Sequence, residues 1–570
     1  MTTFRTTLRQ CLTLLVTLGI TGFAACSDSG SAGGSATAAD QPFNMHLRSH
    51  TETEPNSGRF HVLTKTEKWN PSRTAIVVCD MWDLHHCLNA TRRGGELAPR
   101  MNQILKTARD RGVTIIHAPS SCMPAYKGHP ARSRALAVPK SKNLPKDIGT
   151  WCYKIPAEEK GKYPIDQTDG GEDDDLAEHA AWAKKLTAMG RNPRAPWKSQ
   201  TDLLDIEKTD YISDNGEEIW SIMEQRGIDN VILLGVHTNM CVLGRPFGLR
   251  QMSKNGKNVV LMRDITDTMY NPLRAPYVSH FTGTDLIVEH IEKFVCPTVT
   301  SVDILGGKPF GFKKDKRKHL VIVMAEREYK TWQTLPTFAR KHLGDDFTVS
   351  YVFANAKERN VLPGIEVLDT ADVALFSIRR RALPEKQMAV IRRYLKAGKP
   401  LLGVRTTSHA FSLSFKGDKR PDKGYADWLT WDADIIGGNY TGHHGTEGKG
   451  GRGLKVTVTL AEGAAKHPIL TGVDPAKLIG NGSLYQTNPL TKTTTPLLIG
   501  SIPDNPSEPV AWTNKTEYGG KVFYTALAHI DDFQQPAFNR LMVNAVYWAA
   551  GLPVPKKLPV KPKVVATTKK

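Results

Sequence analysis

Two runs of short, fully apolar segments alternate with helix-periodic stretches along this chain, and that alternation constrains its fold most. In the first run, residues 75–79, 113–116, 230–235 and 259–262 read as buried strands. Leu97, Met101, Leu105 and Ala108 form one helical stripe ending at Gly112, residues 217–226 form another helix, and a third is expected to begin near Cys241. In the second run, 320–324, 348–353, 373–376 and 401–404 read as strands. Residues 384–397 form a helix there, with Pro384 in its first turn and Gly398 past its end. Strands of this kind between helices predict an α/β fold, here two three-layer αβα domains with mainly parallel sheets. Ligands of such sheets gather beyond the carboxyl ends of the strands, which brings Asp80 and the loop of Cys241 together.

At 570 residues the chain exceeds one ordinary domain. The expected divisions are a signal segment 1–25, a flexible tether 26–57, a first unit 58–312, a charged linker 313–318, a second unit 319–553 and a basic tail 554–570. Charged residues at 23% and aromatics at 8% exclude wholesale disorder and fibrous repeats. A net charge of +19 invites a nucleic-acid reading. The body, however, holds no basic run interleaved with aromatics, and the six lysines and three prolines of 554–570 carry much of the excess. Nucleic acid is therefore not an expected partner.

Arg5 and Arg9, an apolar stretch over 11–20 and Gly22-Phe23-Ala24-Ala25-Cys26 have the layout of an export signal. The segment resembles a bacterial lipoprotein signal, with Phe23 where leucine is usual. The resemblance implies a lipid on Cys26, attachment to a membrane through that lipid, and a periplasmic or cell-envelope location. Ordinary secretion with cleavage near Ala25 is the alternative. The Ser/Gly-rich residues 27–35 read as a tether.

A thiol becomes a competent nucleophile when cations or a helix N-terminus favour its thiolate, and a carboxyl raised by burial can take its proton. Cys241 follows a strand, Asp80 ends another, and Lys208 supplies a cation. The loop Leu234-Gly235-Val236-His237-Thr238-Asn239-Met240-Cys241-Val242 resembles the nucleophile loop of the isochorismatase-like cysteine hydrolases, the superfamily that includes nicotinamidases. The resemblance covers nearly half the chain and implies Asp80, Lys208 and Cys241 as catalytic residues. It also implies an oxyanion site near His237 and Asn239, and often a cis peptide before the residue matching His237. The expected product of attack is a thioester, subsequently hydrolysed. Taken singly, the cysteine reads as a buried hydrophobe, the aspartate as a helix cap and the lysine as surface charge.

No cofactor is firmly expected. Nicotinamidases usually carry an Asp-x-His metal motif after the second strand, where this chain reads Ile116-His117-Ala118. His85, His86 and His117 are instead candidates for substrate shaping or a divalent metal, with Cys87 next to the first two. The acidic stretch 172–175 reads as a solvated turn within an insert that could cover the pocket. Cys79 and Cys296 read as structural thiols, and pairing among Cys87, Cys122 and Cys152 is left open.

The second unit has no cysteine, which excludes thiol catalysis there. Its segments His467-Pro468-Ile469-Leu470, Pro509-Val510-Ala511-Trp512 and Gly520-Lys521-Val522-Phe523-Tyr524 resemble the ThuA-like, or trehalose-utilisation, domain, which shares the class I glutamine-amidotransferase-like fold. Asn544-Ala545-Val546-Tyr547-Trp548 matches its closing helix. Arg405 stands on the turn where amidotransferases carry a cysteine, and His409, His443, His444 and His529 are candidates for a common pocket with Asn439 and Tyr485. Carbohydrate binding is what that resemblance implies. The leading expectation is thus a lipid-anchored hydrolase of a small amide, and the alternative is a non-catalytic surface protein that binds carbohydrate. A homo-oligomer is compatible with either.

Overall fold

The computed structural model describes residues 41–414, 418–445 and 452–559. The expectations for the signal segment and Cys26 lie outside them. The first sheet opens with an antiparallel hairpin, β1 (Phe43–Glu52) and β2 (Phe60–Trp69). Phe43, Met45 and Leu47 alternate inward on β1, so the segment read as tether is partly a strand of the first unit. The parallel strands are β3 (Thr74–Cys79), β4 (Thr114–Ala118), β5 (Tyr211–Ile212), β6 (Asn230–Val236), β7 (Asn258–Asp267) and β8 (Thr298–Val299), in the sheet order β2-β1-β8-β7-β6-β3-β4-β5.

Every residue of β3 and β4 is buried, as strands covered on both faces by helices must be. Helix α1 (Leu88–Asp110) lays Leu97, Met101, Leu105 and Ala108 on one face of the sheet. The helix Gly216–Gln225 covers the other face, capped by the Asn215 side chain. The helix expected near Cys241 starts as a π-helical turn, Thr238–Val242, directly after β6.

The second sheet begins with β9 (Lys318–Ala325), β10 (Phe347–Phe353) and β11 (Val373–Ile378). Its order is β10-β9-β11, then the parallel strands Leu401–Val404 and Lys521–Thr525, then four antiparallel strands. Both units are therefore α/β, with mixed and largely parallel sheets flanked by helices.

Two boundaries differ from expectation. Arg317, in the segment read as a charged linker, is almost buried and pairs with Asp285 at 2.6 Å and Asp315 at 2.8 Å. The linker is pinned, and contacts such as Thr282 to the Gly344 carbonyl, 2.6 Å, hold the units together around it. At the other end, Val554 and Leu558 pack on the second core, so the described part of the tail continues the domain past 553.

Gly235 shows how closely the strands approach beside the site. Its φ is +106°, and a Cβ there would overlap the Cys79 carbonyl on β3. Gly235→Ala is expected to cost about 2–4 kcal/mol, read as a lower denaturation midpoint in urea.

Candidate active site at the strand ends

Asp80 leaves the end of β3 with φ +47° and is fully buried. Its Oδ1 accepts the Ser120 backbone N–H at 2.7 Å, and its Oδ2 accepts Arg245 Nε at 3.1 Å. The Cys241 thiol is within hydrogen-bonding reach of both the Asp80 carboxyl and the Arg245 guanidinium. Burial raises the Asp80 pKa above the ordinary carboxylate value, and Arg245 and the thiol offset part of that rise. Burial also pushes the Cys241 thiol well up, reinforced by the Asp80 charge and opposed by Arg245. The resting thiol is therefore protonated beside a base.

Arg245 is the residue the sequence reading missed. It lies four positions after Cys241, about one helical turn, which is the local signal that could have found it. Its guanidinium sits 5.3 Å over the Trp151 ring. Lys208, expected in this role, is exposed at the far end of the sheet. It lies in the turn before β5, whose first residue Tyr211 pairs with Ile116 inside β4, whereas Asp80 follows the last residue of β3. Arg109, near the C-terminus of α1, grips the neighbouring Asp210 at that same end.

A cavity of about 290 Å³ opens onto Asp80 and His237, with Trp82, His85, Thr91 and Thr201 among its other walls. Trp82 stacks on Trp197 at 4.5 Å, and His85 meets His237 edge-on at 4.8 Å. Burial lowers the His237 pKa to about 4 and holds His85 well below its usual value, so both imidazoles are neutral near pH 7. The Val236–His237 peptide is cis.

His86 stays beside His85, 4.0 Å between ring centroids, whereas His117 does not join them. His117 is consumed by Gln200 and Asp210, each at 3.1 Å. His86 turns to Glu172 at 3.1 Å. Asn239, expected at the oxyanion site, donates its amide to Gln167 and to the Met269 carbonyl, tying two loops together instead.

Cys87, Asp173 and Asp174 do come together, but Asp174 caps α1 through the backbone N–H groups of Leu88 and Asn89, both at 2.7 Å. Asp173 is bidentate to Arg93, whose Nε holds Asp267 at 2.7 Å. The cation of this cluster is Arg93 itself, so the donor set does not fit a metal.

The acidic stretch is thus partly buried and paired, where a solvated turn was expected. Arg93→Met leaves Asp173 and Asp267 without their guanidinium and is expected to cost about 3–5 kcal/mol in urea denaturation. All six described cysteines are free thiols, which leaves no disulfide among Cys87, Cys122 and Cys152.

In the second unit, Arg405 follows the strand Leu401–Val404 with φ +43° and is only 2% exposed. Its guanidinium donates to the Ala526 and Ser483 carbonyls and lies between Tyr329 and Tyr485, 4.3 and 4.5 Å from their centroids. It forms a floor beneath the site. Residues 320–549 match the family model described as ThuA, trehalose utilisation.

No curated protein sequence matches the chain. A cysteine hydrolase from Pseudomonas syringae pv. phaseolicola 1448A aligns over 41% of this chain and 92% of its own, at 15% identity and TM-score 0.25. An isochorismatase family protein from Burkholderia thailandensis aligns over 41% and 94%, at 14% identity and TM-score 0.23. A ThuA-like protein from Parabacteroides merdae ATCC 43184 aligns over 43% and 96%, at 16% identity and TM-score 0.31.

Within the region that matches this model, His409 stacks on Tyr440 at 4.3 Å and lies 6.0 Å from Tyr485, with His443 6.4 Å from the same ring. These residues share one site. His444 points to the opposite face of its strand, where its Nδ1 accepts from Gln486 at 3.1 Å. His529 lies 5.9 Å from Tyr329 and is 2% exposed. Asn439 donates to the Asn488 carbonyl at 3.3 Å. Of the residues expected to share a pocket, His409 lines a cavity with Tyr440, His443 and Tyr485 lie behind it, and His444 and Asn439 serve the surrounding loops.

Proposed function

We propose that the first unit is a thiol hydrolase cleaving the C–N bond of a small amide. The observation that carries this reading is the cluster of Asp80, Arg245 and Cys241 beside a cavity walled by aromatic rings. Cys241 Sγ attacks the amide carbonyl as its proton passes to Asp80, and Asp80 returns that proton to the departing amine. Water then attacks the thioester, giving up a proton to Asp80, and the restored thiol takes it back as the acid leaves. Arg245 keeps the Asp80 carboxylate oriented and offsets the charge near sulfur throughout. Incubating the full chain with a panel of small primary and secondary amides, followed by intact-mass analysis of quenched samples, tests the reading. A mass increase equal to the acyl group, sensitive to hydroxylamine, is the expected result, and amine release by protein whose Cys241 is already blocked would overturn it.

The ThuA domain supports a carbohydrate-binding role beside this activity. The stacked His409 and Tyr440 with Trp428 on the same cavity are the kind of aromatic faces that favour such ligands. A purely binding protein is the alternative, and it predicts sugar binding with an unreactive Cys241. Export with a lipid on Cys26 rests on the N-terminal segment and is tested by metabolic labelling with a palmitate analogue in wild type and Cys26→Ala.

A further inference from the structure

The sheet of the ThuA domain changes direction at β9. From β9 the chain moves to β10 on one side, then returns to β11 on the other. In a doubly wound sheet the crevice beyond such a pair of strands is where ligands bind. Here the residues leaving β9 are Glu326, Arg327, Glu328 and Tyr329, and those leaving β11 are Arg379, Arg380 and Arg381.

The charge at this place is lopsided. Arg359 reaches across to the Arg380 carbonyl at 3.1 Å, and Arg327 to the Ala356 carbonyl at 3.1 Å. Of the nearby carboxylates, Glu328 pairs with Arg379 at 2.8 Å, and Glu54 of the first unit pairs with Arg59 at 2.7 Å. Glu326 is spent on the backbone N–H groups of Tyr329 and Thr331, both at 2.7 Å. Arg327, Arg359, Arg379 and Arg381 thus gather beside carboxylates that are each already occupied. Burial, then Arg359, Arg327 and Arg379, depress the Arg381 pKa to about 10, as expected of a cation crowded by like charges.

A second, independent observation points to a ligand. Arg381 is only 4% exposed, and its Nε has no hydrogen-bond partner although the same side chain donates to the Arg379 carbonyl at 2.7 Å. It lines a small cavity of about 90 Å³ with Glu326 and Arg327 from the end of β9 and residues 353–356 from the end of β10, which the first unit closes with Glu54 and Arg59. A buried donor left unsatisfied carries a penalty of about 1–3 kcal/mol, which an incoming acceptor would remove. On the other side of Arg380 lies the cavity of His409 and Tyr440, where Asp432, raised to about 7 by burial, is the acidic group present.

We propose that the cavity beyond the ends of β9 and β10, which Arg381 enters from the end of β11, binds the oxyanion of a small molecule, a carboxylate or a phosphate, through Arg327 and Arg381. Guanidinium forks match such oxyanions, and hydrogen bonds to charged groups are the strong ones. The site is independent of the hydrolase reading and of neutral sugar binding.

Isothermal titration of the full chain with glucuronate, glucose 6-phosphate, inorganic phosphate and neutral glucose tests it. At least one of the three anions is expected to bind, at least about tenfold more tightly than glucose and more weakly as salt rises. Their relative affinities distinguish carboxylate from phosphate. Arg327→Ala, an exposed position, is expected to weaken anion binding about tenfold with an unchanged melting temperature. Arg381→Lys keeps a charge but loses the fork, and should weaken binding as well. Failure of all three anions to bind would overturn the proposal. So would binding of glucose as tight as the anions, or anion binding unaffected by Arg327→Ala.

Discussion

Cys241→Ala is expected to lower kcat/KM for any amide the wild type turns over by about four orders of magnitude or more, and to abolish the acyl-enzyme mass. Asp80→Asn should come close to the same loss, because the pair works as a unit: a thiol raised by burial is inert unless the carboxylate beside it takes its proton. The two variants differ in what remains. Cys241→Ala has no atom able to form the thioester, whereas Asp80→Asn keeps a thiol that reacts with alkylating agents once the pH is raised. The wild-type pH profile should carry the signature of Asp80. Its folded pKa is raised, so the basic form is lost at a higher pH than for an ordinary carboxylate. The acid limb of kcat/KM is therefore expected above the usual carboxylate pKa of about 3.9. An acid limb at or below that value would show that the buried carboxyl is not the base.

The second large effect separates two cations. Arg245→Met is expected to reduce kcat/KM by about a hundredfold to a thousandfold, since it removes the donor on Asp80 Oδ2 and the positive charge nearest sulfur. Lys208→Ala should leave turnover within about twofold, because an exposed lysine in the turn before β5 is screened from Cys241. Arg245→Lys is the informative control. A lysine restores charge without the Nε geometry, so partial recovery would apportion the effect between charge and orientation. If Lys208→Ala were the damaging change and Arg245→Met harmless, the arrangement of the site drawn from the structure would be wrong.

Much of this site was legible because its signals are local. An apolar strand ending in Asp80, and a strand ending in Gly235 with Cys241 six residues on, mark the strand ends by periodicity and glycine alone. The position of Arg405 on the turn after its strand was readable in the same way, although its burial between two tyrosines was not. The acidic stretch misled for the opposite reason. Four consecutive acids look solvated until Arg93 and the N-terminus of α1, some eighty residues earlier, are found against Asp173 and Asp174. Histidine spacing misled too, since His117 found private partners in Gln200 and Asp210 while His86 stayed beside His85.

Sequence by itself determined two α/β units, their order along the chain, and the placing of Asp80 and Cys241 at the ends of neighbouring strands. Periods of two and of three to four residues are properties of the backbone, and they survive in any environment. Only the tertiary structure decided which cation faces the thiol, that β1 belongs to the first sheet, and that Arg327, Arg359, Arg379 and Arg381 gather around one cavity. Those outcomes depend on strand register and on long side chains meeting across the fold. A shift of register carries a lysine to the wrong end of a sheet without altering any local pattern.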